Sequence, residues 1–291
     1  MKLSPTQKDI DYWVETFLPA NDIYYLDGNS DFTILDSNEL LTVQALLSHP
    51  VYGSIAYTNT YEFWKLDSAR VKQVLVAPPG WFAALPMQER AKLFRLQVQL
   101  GRGLVFGQDV LPGHAFKKMI QHAGVDGKLV LNHFLWNRLD LNIRQQTVER
   151  VARYWDDFEC ENCPEEAKAW VKTRANSFIH FDGVNAFGAA LFGASGDAAW
   201  LEKRVRTEEF RAELTRLGYQ QTDRSDPLLG DISVFYDEVE QEQHACFQLS
   251  NSLALNKNGQ TKYQALKVTR YDRVLVDWQN LRPRHFAPVK Q

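Results

Sequence analysis

From His244 the chain runs His244-Ala245-Cys246-Phe247-Gln248-Leu249, turns at Ser250-Asn251-Ser252 and returns through Leu253-Ala254-Leu255-Asn256. A strand places successive side chains on opposite faces, so Ala245, Phe247 and Leu249 point one way and His244, Cys246 and Gln248 the other. Two such runs around a short polar turn predict a hairpin whose paired positions sum to about 500–502. His244 then falls opposite Asn256 or a residue within two of it, close enough for an imidazole and a carboxamide to meet across the ladder. Upstream, Gly230-Asp231-Ile232-Ser233-Val234-Phe235-Tyr236 reads as a further strand. A chain carrying these segments has to build an antiparallel sheet.

The rest of the sequence is that of a globular protein. Of its 291 residues, 45% are hydrophobic and 24% charged, with 17 Phe, 11 Tyr and 8 Trp, enough to form a core without disulfide or metal staples. Its 33 basic residues nearly balance 36 acidic ones, and a net charge of -3 offers no footprint for a nucleic-acid backbone. The start, with acidic residues following soon after Lys2, does not read as a secretory signal, and no apolar run is long enough for a membrane span. A cytoplasmic protein with reduced thiols is expected. Cys160 and Cys163 form a lone CxxC without the two further ligands of a zinc site, so a structural role is expected and no cofactor. His49, His114, His122 and His133 show no metal-ligand spacing.

Along the first 159 residues, strand-like and helical stretches alternate, predicting a mixed α/β region of unread role. Residues 23–35 read as a hairpin around Asp27-Gly28-Asn29-Ser30. Pro86 and Gly101 bracket a helix in MQERAKLFRLQVQL, and another helix is expected from about Asn142 to Trp155. The acidic run from Asp156 to Pro164 reads as a connection, which sets a domain boundary near 160, and Pro164 is expected to begin a helix through EEAKAWVKTRANSF. The charged stretch after Trp200 predicts a helix with a solvated face ending at Gly218. The C-terminal RPRHFAPVKQ is expected to lie extended along the surface.

Asp182-Gly183-Val184-Asn185-Ala186-Phe187-Gly188-Ala189-Ala190 predicts a tight turn feeding a helix, with Asn185 as its N-cap and small residues for close packing on a sheet. A thiol at position 186 would have its thiolate stabilised by the free N–H groups and positive dipole end there. The residue is alanine. His180, six residues before, is expected in the core or on the surface, and Cys246 is expected as a small buried residue rather than a nucleophile. Asn258-Gly259 reads as a turn at the rim of the cleft.

A nucleophile position at a helix start, then a GDIxVF strand, a strand-borne histidine and a polar residue 12 positions later together resemble the NlpC/P60 superfamily of papain-like enzymes. The resemblance covers roughly residues 175–280. It implies an α+β papain-like catalytic domain over 160–291, with Ala186 at the nucleophile position, His244 as base and Asn256 as the orienting residue. The stretch Asn185-Ala186-Phe187-Gly188 departs from the family's usual Asp-Cys-Ser-Gly. Alanine there is what a Cys→Ala substitution leaves, and also what a natural pseudoenzyme that keeps its cleft for binding carries. With cysteine restored, the implied chemistry is cleavage or transfer at an amide or ester carbonyl through an acyl-enzyme, on a small peptide-like substrate. A transglutaminase-type arrangement would draw instead on Asp272 or Asp277.

Overall fold

The alternating segment lies inside a six-stranded antiparallel sheet. The computed structural model describes residues 1–29 and 32–289, less the side chains at 118 and 120–123. The chain forms two units, one from Met1–Asp9 with Arg153–Gln291, the other from Ile10–Ala152, both mixing helices with antiparallel strands.

In the unit Ile10–Ala152, the strand Gln73–Ala77 lies between Asp22–Leu26 and Glu39–Leu41. The hairpin expected over 23–35 does not form. Every residue of Asp22–Leu26 is buried, and the strand pairs instead with the apolar Gln73–Ala77 about fifty residues on; Ser30, at the expected turn, lies outside the described residues. The helix after Pro86 forms as Met87–Leu100 and stops at Gly101, whose φ of 63° suits glycine. Its Gln97 side chain bonds both the N–H and the carbonyl of Tyr25, at 2.9 Å each, which ties helix to strand. The second expected helix spans Leu141–Trp155.

The elements of the other unit are labelled in chain order. Helices are α1 (Ala169–Arg174), α2 (Ala186–Ser195), α3 (Thr207–Arg216) and α4 (Tyr271–Asp277). Strands are β1 (Tyr219–Gln221), β2 (Ile232–Tyr236), β3 (Glu242–Gln248), β4 (Leu253–Asn256), β5 (Lys267–Arg270) and β6 (Arg282–Pro288), in the sheet order β5-β4-β3-β2-β6-β1. Helix α1 is shorter than the stretch expected after Pro164 at both ends: Pro164 does not begin it, since it starts only at Ala169 past the extended Lys168, and it ends at the extended Ala175, with Asn176 at a left-handed φ of 57° beyond. The C-terminal segment is extended and largely exposed, as expected, but it is paired on both sides. As β6 it fills the place between β2 and β1, with His285 buried on it; Lys290 and Gln291 lie outside the described residues. The acidic run after Trp155 is built into this unit, with Phe158 fully buried and Glu159 bridged to Lys2.

The sheet has two occupied faces. On one, Ala245, Phe247 and Leu249 of and beside β3 pack with Ile232, Val234, Leu255 and the α2 side chains. On the other, Phe235, Cys246 and Ala254 pack with Tyr271 and Val274 of α4. Helix α2 sits so close that a Cβ built on Gly193 would fall 2.6 Å from the Phe247 ring. Glycine is needed at 193 for approach, not for an unusual φ. Gly193→Ala is expected to destabilise the protein by about 1–3 kcal/mol through overpacking, measured as a lowered denaturant midpoint with unchanged slope.

Candidate functional site

Asn185 caps α2 as its sequence predicts: its Oδ1 accepts from the Gly188 N–H at 3.2 Å and its Nδ2 donates to the Val205 carbonyl at 2.8 Å. Ala186 is the first residue of the helix and is buried. The segment before it is pinned at Asp182, which accepts from the Lys262 N–H and pairs with the Lys262 ammonium at 3.1 Å. His180 bonds Asp9 Oδ1 through Nε2 at 2.6 Å, within the same unit.

The hairpin of β3 and β4 has Phe247 opposite Leu255 and Gln248 opposite Ala254, a register sum of 502. His244 reaches diagonally to Asn256, donating from Nε2 to Oδ1 at 2.8 Å. That bond leaves Nδ1 as the lone-pair nitrogen, and it has no hydrogen-bond partner among the described residues. The ring is 1% exposed, stacked on Trp278 at 4.4 Å and met edge-on by Phe235 at 5.5 Å. Trp278 is itself held, since its Nε1 donates to Asn258 Oδ1 while Asn258 Nδ2 donates to Asp277. Burial pushes the His244 imidazole down to about 3, against the smaller opposing pull of the Asn256 bond, so the ring is neutral across the physiological range.

The structure brings His244 and Asn256 together and leaves α2 on the far side of the sheet. His244 pairs with Phe235 and shares its face, while α2 covers the face of Ala245 and Phe247. A bulge at Gln243, where Tyr236 opposes Glu242 and Phe235 opposes His244, turns Glu242 to the other face, toward Arg211 of α3, and leaves His244 on the face of Phe235. Cys246 is fully buried on the His244 face, its thiol pushed up by burial. Neither acid weighed as a third member engages the histidine: Asp272 pairs with Arg270 and Asp277 with Arg273. Cys160 and Cys163 are free thiols, both raised by burial, and among the described residues no group of three His, Cys, Asp or Glu side chains is placed to hold a metal ion.

A cavity of about 940 Å³ opens within this unit, with Asn256 and Asn258 on its wall. Lys267 projects there and donates to Asp156 at 2.5 Å and Asp157 at 3.1 Å. Burial works against its ammonium, but Asp156 and then Asp157 outweigh it and raise the group. Asp156 also accepts from the Ala265 N–H at 2.9 Å. None of this was read from the sequence, where Asp156 and Asp157 look like part of a polar connection; the one available signal was a lysine inside the otherwise apolar run Ala265-Leu266-Lys267-Val268. Lys257 was missed too. It is fully buried, donates to the carbonyls of Thr261 and Gln264 at 2.9 Å each, and is pushed down to about 7 by burial.

No helix among the described residues is long and apolar enough to cross a membrane. No protein-family model, curated protein or solved structure matches the chain.

His244 sets a pH window. The unfolded imidazole binds a proton near 6.5 while the folded one does so only near 3, so stability is full above about 6.5 and falls as the pH drops toward 3. The expected slope from this group is about 1.4 kcal/mol per pH unit, read from denaturant midpoints over that window, and His244→Asn should flatten it. His285, also lowered by burial, adds to the loss in the same direction.

Proposed function

We propose that the chain is a binding protein and not a working cysteine hydrolase. The observation that carries this reading is the sheet lying between α2, which begins at Ala186, and the His244–Asn256 pair. A base has to come within hydrogen-bond reach of the thiol it activates. Alanine at 186 accords with a position that bears no nucleophilic duty.

A second reading is favoured by one bond. His244 Nε2 on Asn256 Oδ1, with Nδ1 left over, is the orientation a cysteine hydrolase or acyltransferase gives its base. On that reading the chain is the nucleophile-less form of an enzyme acting on small peptide-like amides or acyl groups.

The variant Ala186→Cys separates the two. The binding reading expects its thiol to label with iodoacetamide at neutral pH no faster than a model thiol, with no change when His244→Ala is added, and no turnover of an activated ester. Labelling accelerated tenfold or more and lost with His244→Ala would overturn it in favour of the enzyme.

A further inference from the structure

The unit Ile10–Ala152 holds an oriented imidazole of its own. His133 stands against Asp22, whose Oδ1 accepts from the His133 backbone N–H at 3.1 Å and meets the ring Nδ1 at 2.9 Å. A carboxylate only accepts, so Nδ1 carries the ring proton and Nε2 the lone pair. Nε2 has no partner among the described residues and is not buried; the side chain is 16% exposed. Asp22 is 1% exposed, its buried Oδ2 meets no donor, and the imidazole is its one ion-pair partner among the described residues.

The other described histidines lack this combination. His49 spends Nδ1 on the N–H groups of Val51 and Tyr52, and His285 is engaged at both nitrogens. His180 meets its carboxylate through Nε2, His244 is buried, and His114 is exposed without a carboxylate behind it. Next to His133 in the chain, the Phe134 ring carries two guanidiniums, that of Arg138 at 3.4 Å from its centroid and that of Arg90 at 5.2 Å. Their hydrogen bonds go to carbonyls, from Arg138 to Phe134 and from Arg90 to Ala83 and Leu85, and neither pairs with a carboxylate among the described residues. Two uncompensated cations one residue along from an open nucleophilic nitrogen favour an anionic electrophile, and guanidinium suits phosphoryl oxygens.

We propose that His133 accepts a phosphoryl group at Nε2 from a small anionic phosphoryl donor, with Asp22 as the positioning residue and Arg90 and Arg138 drawing the donor in. The Nε2 lone pair forms the N–P bond, the bond from phosphorus to the leaving group breaks, and its electron pair departs with that group. The ring keeps its Nδ1 proton and gains a positive charge, which faces the Asp22 carboxylate. A buried carboxylate that had a neutral partner then has a cation. Neither Ala186 nor His244 takes part, so the proposal stands or falls apart from the binding reading.

The test treats the full chain with phosphoramidate, whose leaving group is ammonia, and locates the product by peptide mass spectrometry in alkali and by phosphorus NMR. His133 should be phosphorylated at Nε2 at least about tenfold faster than any other of the 7 histidines, the exposed His114 included. Arg138→Ala should slow the reaction several-fold and leave the circular dichroism spectrum unchanged. Asp22→Asn should slow it by about tenfold or more and shift part of the product to Nδ1, since the amide no longer fixes the tautomer. Asp22 is buried, so if that variant does not fold, the ranking of histidines in the unaltered chain and the Arg138→Ala rate decide the matter. Phosphorylation spread evenly over the exposed histidines, attachment at Nδ1 in the unaltered chain, or a rate indifferent to the substitutions would each overturn the proposal.

Discussion

The alternation of β3 is the constraint on which the C-terminal unit depends. Each residue of His244–Gln248 is committed to one face by its neighbours, and the two faces are covered by different helices. A shift of one residue would turn Phe247 away from Gly193 and drive His244 into the α2 interface. The close fit at Gly193 and the stack of Trp278 on His244 thus hold the same register from opposite sides.

Much of this was legible locally. The Asn185 cap, the helix ending at Gly101 and the hairpin around Ser250–Ser252 follow from side-chain chemistry within a few residues, and all of them form. The meeting of His244 and Asn256 belongs with them, because it needs only a turn and a period. Which face α2 would choose was also latent in the pattern: a helix of small residues covers the apolar side, and the apolar side is that of Ala245, Phe247 and Leu249.

Other features depend on partners far away in sequence. Asp22–Leu26 could pair with any apolar strand, and only tertiary structure selects Gln73–Ala77. The segment Arg282–Pro288, with two prolines and two arginines, does not look like an inner strand, yet β2 and β1 take it in from both sides. Asp156 and Lys267 lie more than a hundred residues apart, and neither explains itself without the other. A carboxylate can be buried there because an ammonium and a backbone N–H arrive together.

The bridge between Lys2 and Glu159 makes the C-terminal unit discontinuous in sequence. Its first piece precedes Ile10–Ala152 in the chain, while its strands follow only after the whole of that segment. Lys2 therefore meets Glu159 only after the whole of Ile10–Ala152 has been made, whereas Ile10–Ala152 is uninterrupted in sequence.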